Sequence, residues 1–309
     1  MPGPSSPVGS SSRSSAPPRP ETTCCLCDNL VLVGVTTAPI TPDIGLEVTG
    51  LTGPELVDPA LAAACQAALD AHGVVVYREV GIGDADLLAF SEMLGTVVIP
   101  KRGGLEGHPG IDVISLDPAE SALAQYRRGT IFWHLDGTTD ELPQKATFLT
   151  ALVVADEGGD TEFANTYAAY AALPEEEKAR LADLRVEHSF GAAQLLTTPE
   201  PTDKQRAAWG QVPSRVHPLV WRRRDGRRSL LIGATAGRIL DLPDDESRAL
   251  LDRLLAWVTQ PRFVLRHRWQ PGDLVVWDNT GLPHRAIPYD ATSRRLMHRT
   301  TLVGEEAIA

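Results

Sequence analysis

Short apolar runs rich in β-branched and aromatic residues recur along the chain between turn-forming residues, which is typical of strands. These predicted strands cover residues 30–37, 45–48, 73–78, 111–116, 130–137, 146–154, 272–277 and 294–303. Helical patterns lie between them, at residues 59–71, 84–94, 166–184 (broken at Pro174) and 244–259. A chain with this many strands predicts a barrel or sandwich with helices packed outside.

The first residues interrupt this pattern, because they are rich in Ser and Pro and nearly free of large apolar side chains. Such a composition buries too little surface to fold, so we expect residues 1–28 to be a disordered tail and residues 29–309 to form one domain. The tail lacks the charged start and apolar middle of a secretory signal. We therefore expect a cytoplasmic protein.

Charge excludes two partner classes. The formal net charge is −11, which disfavours nucleic acid and anionic membrane surfaces as partners, and no apolar run is long enough to span a membrane.

Four cysteines are present, Cys24, Cys25 and Cys27 in the tail and Cys65 in a predicted helix. Without a second ligand pair they are expected to be free thiols in a reducing compartment rather than a zinc site.

The candidate chemistry lies in the predicted strand 130–137. Residues two apart in a strand face the same side, so His134 and Asp136 can bind one ion together. His284 follows another predicted strand, and a barrel can bring it to the same place. Two histidines and one carboxylate form the ligand set of a mononuclear iron(II) site with open coordination positions. A zinc hydrolase or a non-catalytic ligand-binding barrel remains as an alternative.

Two arginines follow the second histidine. Arg295 lies eleven residues after His284, and Arg299 lies four residues further along the same predicted strand, on the same face. A guanidinium inside a barrel requires an anionic partner, and a carboxylate suits it best. The pair therefore predicts a site for one or two small anions.

These residues belong to a set of motifs that resembles the iron(II)- and 2-oxoglutarate-dependent dioxygenases of the taurine dioxygenase and 2,4-dichlorophenoxyacetate dioxygenase family. The resemblance extends over residues 44–304, in the family's order. The matching segments are Trp133-His134-Leu135-Asp136-Gly137, Gly158-Gly159-Asp160-Thr161-Glu162-Phe163-Ala164-Asn165, Trp277-Asp278-Asn279, His284-Arg285-Ala286 and Arg295-Leu296-Met297-His298-Arg299. The implied fold is mainly β, a double-stranded β-helix (jelly roll, cupin-like) with surrounding α-helices.

The resemblance also implies roles. His134, Asp136 and His284 correspond to the Fe(II) ligands, Arg295 and Thr161 to the residues that hold the distal carboxylate of 2-oxoglutarate, and Arg299 to a substrate-binding arginine. The implied reaction consumes O2 and 2-oxoglutarate and releases succinate and CO2. Related halogenases have a small residue in place of this carboxylate, so Asp136 favours hydroxylation.

The substrate is less well specified. Pro100 and Thr130 stand where taurine dioxygenase has a histidine and an asparagine, which disfavours taurine. The flanking motifs are similar to the aryloxyalkanoate branch, so a small organic carboxylate is favoured. The alternatives are an amino acid or natural-product intermediate, or an alkyl sulfate or sulfonate. The polar segment 118–129 is either a lid over the substrate or a surface loop, and Tyr126 and Arg128 are its candidate substrate contacts, with Thr130 beyond them.

Two further features have alternative interpretations. Asp278 either orients His284 or only shapes a turn. The arginine-rich hairpin at residues 222–228, centred on Asp225-Gly226, is expected to be a solvated turn. Its alternative is a contact with the acidic surface of another subunit in a homo-oligomer, a dimer or tetramer.

Overall fold

The computed structural model describes residues 34–100 and 104–308. They belong to one compact unit, residues 33–309. The predicted tail 1–28, its three cysteines and the first half of the predicted strand 30–37 lie outside the described residues. Within the described part, no helix is long and apolar enough to cross a membrane.

Sixteen strands are found in the described ranges. In chain order they are β1 Thr36–Pro39, β2 Leu46–Thr49, β3 Val74–Tyr77, β4 Gly104–Leu105, β5 His108–Ile114, β6 Ala146–Val153, β7 Thr161–Ala164, β8 Arg185–His188, β9 Arg215–Pro218, β10 Val220–Arg222, β11 Arg228–Leu230, β12 Ala236–Ile239, β13 Val264–His267, β14 Leu274–Asp278, β15 His284–Ala286 and β16 Leu296–Thr301.

Helices connect these strands. They are α1 Pro59–His72, α2 Asp84–Leu94, α3 Ala124–Arg127, α4 Thr166–Ala171, α5 Glu175–Leu181, α6 Phe190–Thr197, α7 Asp203–Trp209 and α8 Asp244–Val258, with 3-10 turns at Pro54–Leu56, Arg128–Ile131 and Pro261–Phe263. The predicted helices 59–71, 84–94 and 244–259 are confirmed to within one residue at each end. The helical pattern at 166–184 forms two helices, because Pro174 stands immediately before α5.

Two sheets build the jelly roll. The larger has the strand order β1-β2-β3-β14-β6-β16-β5-β4, and a smaller one has the order β13-β7-β15. Leu149, Trp277 and Met297 of the large sheet and Phe163 and Leu265 of the small one belong to one buried cluster. The core therefore lies between the two sheets, and residues that face it from β7, β15 and β16 can meet there.

A second apolar cluster lies under α8. The helix has three acidic residues in its first turn, which suits the positive end of its dipole. Leu251, Leu254 and Val258 lie on one face at helical spacing, and all three are buried against residues of β8 and β12 such as Val186 and Ile239. This outer layer supports the jelly roll from one side.

The arginine-rich hairpin is less solvated than predicted. Arg223 Nε lies 3.0 Å from a carboxylate oxygen of Glu306 near the C-terminus. Arg227 lies 3.6 Å from Asp278 Oδ2 and stacks over the ring of Tyr167. The prediction of a simple solvated turn is therefore wrong for these two side chains, because nearby carboxylates and an aromatic ring compensate their charge.

Candidate metal and anion site

The two candidate metal-binding histidines lie directly opposite each other. His134 and His284 form an isolated antiparallel bridge, in which His134 N donates to His284 O at 3.0 Å and His284 N donates to His134 O at 2.9 Å. Directly opposite residues project to the same side, and the two ring centroids are 4.4 Å apart. This bridge brings residues 150 positions apart in the sequence to one point.

The predicted strand 130–137 is wrong, although its consequence for the site holds. Residues Arg128–Ile131 form a 3-10 turn, and only His134 pairs with another strand. The neighbouring carbonyl of Trp133 instead accepts from Ala234 N at 2.7 Å, and Gly137 turns the chain with a φ of +79°. One bridged residue in extended geometry is enough to place His134 and Asp136 together.

The hydrogen bonds of the rings determine which nitrogens face the carboxylate. Nδ1 of His134 lies 2.8 Å from Phe132 O, and Nδ1 of His284 lies 3.4 Å from Leu282 O. Each Nε2 lies 3.9 Å from an oxygen of Asp136, too far for a hydrogen bond. An Nδ1–H that donates to a carbonyl leaves Nε2 as a ligand atom.

The three ligand atoms lie within 4.8 Å of one another, close enough to share a metal ion. Burial, together with the nearby His134 ring, lowers the pKa of His284 to about 3. Burial alone would raise the pKa of Asp136, but the Arg299 guanidinium holds it at about 2. Two neutral imidazoles and a carboxylate are the forms that bind a divalent cation, so the residues fit Fe(II).

Asp278 does not contact His284 in the described structure. Its Oδ1 accepts from Thr280 N at 2.8 Å, and its Oδ2 lies 3.3 Å from the Tyr167 hydroxyl. Of the two interpretations, the arrangement is that of a turn-shaping residue.

A small cavity of about 60 Å3 lies beside the triad. Its walls combine apolar side chains with three arginines: Ile114, Arg127, Thr130, His134, Leu149, Thr161, Trp277, His284, Ala286, Tyr289, Arg295 and Arg299. Arg295 and Arg299 thus face one cavity, as their spacing predicts.

Arg295 provides a positive charge without a carboxylate partner. The residue is only 3% exposed, and among the described residues its interactions are with the Tyr289 side chain and, at longer range, Asp160. Asp160 itself pairs with Arg266 at 2.7 Å. Burial lowers the pKa of Arg295, and a buried unpaired guanidinium is costly unless an anion binds it. The dianion 2-oxoglutarate fits this need.

Thr161 begins β7 in the same wall and is 5% exposed. Its hydroxyl oxygen accepts a hydrogen bond from Trp269 Nε1 at 3.0 Å. A hydroxyl has one hydrogen and two lone pairs, so this bond leaves the hydrogen of Thr161 free to donate to an anion. Trp269 was not predicted as a site residue.

Arg299 lies at the metal end of the cavity. Its Nη1 is 3.3 Å from Asp136 Oδ2 and its Nη2 is 2.8 Å from Asp112 Oδ2. Arg127 also bonds Asp112, from Nη2 to both carboxylate oxygens at 2.6 and 2.7 Å. Neither Asp112 nor Arg127 was predicted. Arg127 falls within the polar segment 118–129, but its partner lies fifteen residues away.

The other predicted substrate contacts divide into two groups. Thr130 lines the cavity, and its hydroxyl donates to Arg127 O at 2.7 Å. Tyr126 is 51% exposed, and neither it nor Arg128 belongs to the cavity wall. Their predicted role with the substrate stays a prediction.

Comparison with known proteins agrees with this geometry. The model of the family described as "Taurine catabolism dioxygenase TauD, TfdA family" matches residues 36–301. An alpha-ketoglutarate-dependent 2,4-dichlorophenoxyacetate dioxygenase of Cupriavidus pinatubonensis is 34% identical over 78% of this chain and 88% of its own. Pentalenolactone F synthase of Streptomyces arenae is 34% identical over 77% of this chain and 85% of its own.

Solved structures show the same fold. The crystal structure of AAD-2 in complex with Mn(II) and N-oxalylglycine has a TM-score of 0.75 and 31% identity, and the match covers 89% of this chain and 99% of that one. The chain therefore belongs to the TauD/TfdA family of dioxygenases, which use Fe(II), 2-oxoglutarate and O2. The predicted double-stranded β-helix with outer helices is confirmed.

Proposed function

We propose that this protein hydroxylates a small organic anion, with a carboxylate favoured, and that it releases succinate and CO2 from 2-oxoglutarate. The observation that carries the proposal is the buried Arg295, which has no carboxylate partner among the described residues and lines the same cavity as His134 and His284 of the triad. A zinc hydrolase needs the three ligands but has no use for that arginine. A non-catalytic binding barrel would need the arginine but not the ligands.

The residues at the two ends of the cavity would have different roles. The triad would hold Fe(II), which, when bound with 2-oxoglutarate, supplies the oxidant derived from O2. Arg295 and the Thr161 hydroxyl would hold the distal carboxylate of 2-oxoglutarate, and Trp269 keeps that hydroxyl turned as a donor. Apolar residues such as Leu149 exclude water between the two ends. The two ends of the cavity would thus accept different anions.

The substrate end supports an anion. Arg299 and Arg127 line it, and aliphatic side chains such as Ile114 lie beside them. An apolar body with one charged group matches this wall, as in an aryloxyalkanoate. The similarity to pentalenolactone F synthase supports a second candidate, a natural-product intermediate. An alkyl sulfate or sulfonate presents similar chemistry.

Asp136 favours hydroxylation over halogen transfer, because its carboxylate would bind the metal ion where a halide would otherwise bind. Its Oδ2 also faces Arg299 at 3.3 Å, which fixes the orientation of the carboxylate. We further propose a cytoplasmic location, in keeping with the free buried thiol of Cys65, and leave a homo-oligomer as a prediction.

The proposal is tested with a panel of anions: an aryloxyacetate, an aryloxypropionate, an alkyl sulfate, taurine and an amino acid. Succinate release is measured together with loss of each compound, in the presence of Fe(II), 2-oxoglutarate and O2. Coupled turnover with an aryloxyalkanoate and none with taurine is expected. Substrate loss without succinate, or turnover with Zn(II) in place of Fe(II), would contradict the proposal.

A further inference from the structure

Two arginines share one buried carboxylate beside the metal ligands. Asp112, on β5, is 7% exposed and accepts from Arg127 and from Arg299 at 2.6 to 2.8 Å. Arg299 has a second carboxylate partner, Asp136, at 3.3 Å, but that carboxylate would also bind the metal ion. One guanidinium of the pair then needs another anionic partner, because leaving a buried charge uncompensated is unfavourable.

The unused hydrogen-bond donors are on the same two arginines. The Nε atoms of Arg127 and Arg299 are buried and have no hydrogen-bond partner among the described residues. Arg127 gives both of its bonds to Asp112 from one nitrogen, Nη2. Burial, and then the charge of Arg299, lowers the pKa of Arg127. The pKa of Arg299 is instead raised, against its burial, by Asp136 and Asp112. Both arginines thus lack an acceptor for Nε, and Arg127 is the one with less negative charge beside it.

The charges around the cavity add up to the same conclusion. With a divalent ion bound by the triad, the three arginines and the ion would contribute five positive charges, while Asp112 and Asp136 would contribute two negative charges. A bound 2-oxoglutarate dianion leaves one positive charge uncompensated. Both histidines are counted as neutral, as metal ligands are.

We propose that Arg127 is a second substrate-binding residue, which together with Arg299 binds a singly charged anionic group of the substrate, and that Asp112 positions both guanidiniums for it. The inference rests on the proposed function and narrows it to monoanions, a carboxylate or a sulfate monoester. Asp112 removes one of the two charges that would otherwise favour a dianion. Thr130, whose hydroxyl donates to Arg127 O at 2.7 Å, fixes the backbone at that arginine.

The alternative is that Arg127 only balances Asp112 and that Arg299 alone binds the substrate. The two interpretations differ in which ligands respond to the loss of Arg127. A substrate-binding arginine contributes to binding of a charged group and not of its uncharged analogue, whereas a residue that only maintains the structure affects both alike.

The test uses the anaerobic complex of the full-length protein with Fe(II) and 2-oxoglutarate. Binding of 2,4-dichlorophenoxyacetate is followed by its effect on the visible absorption of that complex and by calorimetry. The uncharged amide of the same acid and an aryloxymethylphosphonate dianion serve as probes of charge. The wild-type protein should bind the carboxylate best and the amide worst.

Arg127→Gln should weaken binding of the carboxylate about tenfold or more, the usual effect of losing a charged hydrogen-bond partner, and should leave 2-oxoglutarate affinity unchanged. Arg127→Lys should lie in between, because it keeps the charge without the planar donor set. Arg222→Gln is the matched control: this arginine is exposed on the hairpin, and its substitution should change neither affinity.

The uncharged amide decides between the interpretations. In Arg127→Gln, weaker binding of the carboxylate with unchanged binding of the amide supports the proposal, and an equal loss for both compounds, or no loss for either, overturns it. Asp112→Asn alone should shift the preference from the carboxylate toward the phosphonate dianion, and an unchanged preference would contradict the charge argument. If Fe(II) and 2-oxoglutarate form no complex, the proposed function itself fails. If they form one but no monoanion binds, only this inference fails.

Discussion

Replacement of Arg295 by methionine should make the ligand-free protein more stable and prevent it from binding 2-oxoglutarate. The guanidinium is 3% exposed, and its pKa is lowered by burial because no carboxylate partner is at hand. A role in binding an anionic ligand therefore explains why this charge is buried. Methionine has a similar length and fills the same space without a charge to desolvate.

The size of the effect follows from the cost of burying ions. Removing an uncompensated buried charge should stabilise the empty protein by about 1–3 kcal/mol, partly offset by the lost contact with Tyr289. At about 2–4 °C per kcal/mol for a domain of this size, Tm should rise by roughly 2–12 °C. Wild-type protein with ligand at a hundred times its Kd should gain about 2.7 kcal/mol, and the variant none.

Thermal unfolding with and without 2-oxoglutarate, with Mn(II) present to prevent turnover, measures both effects. Arg266→Met is the matched control: its guanidinium pairs with Asp160 at 2.7 Å, but the side chain is 46% exposed. We expect a change within about 0.5 kcal/mol there and normal stabilisation by ligand. A less stable Arg295→Met protein that is still stabilised by 2-oxoglutarate would refute the assignment of Arg295.

Three further predictions concern other parts of the site. Asp136→Ala should abolish binding of Fe(II) and hydroxylation, measured by calorimetry and succinate release, and a variant that keeps full turnover would contradict the metal assignment. Trp269→Phe should lower 2-oxoglutarate affinity about fivefold, equivalent to one hydrogen bond of ~1 kcal/mol, because Thr161 is then no longer held as a donor; equal affinity in a binding titration would exclude that role. Burial holds the pKa of His188 at about 3, so below about pH 6.5 the unfolded chain binds a proton that the folded protein does not. As the pH drops below about 6.5, this group should lower the free energy of unfolding by ~1.4 kcal/mol per pH unit. Denaturant titrations of His188→Asn at several pH values should show a dependence on pH that is shallower by that amount.

The ligand set could be predicted from the sequence because its signals are local. His134 and Asp136 are two residues apart, and Arg295 and Arg299 follow His284 at spacings that a return strand allows. The predicted strand around His134 is nevertheless wrong. A run of apolar residues does not reveal that a single bridged pair, rather than a full ladder, positions the ligand.

The residues that support these groups could not be predicted in the same way. Trp269 and Thr161 are 108 positions apart, and no periodicity relates them. The sequence does not distinguish Arg127 from its neighbours Tyr126 and Arg128. The importance of Arg127 depends on Asp112, and the pattern around Asp112 predicts only an ordinary strand residue. Long-range pairs of this kind appear only when strand order and register are known.

The central claim is that the triad and Arg295 form one site for Fe(II) and 2-oxoglutarate. The most direct test is an anaerobic titration of the protein with Fe(II) and 2-oxoglutarate, monitored by visible absorption. We predict a weak charge-transfer band that saturates with one equivalent of each, is lost in Asp136→Ala and requires far more 2-oxoglutarate in Arg295→Met. No band in the wild-type protein, or an identical titration in both variants, would contradict the account.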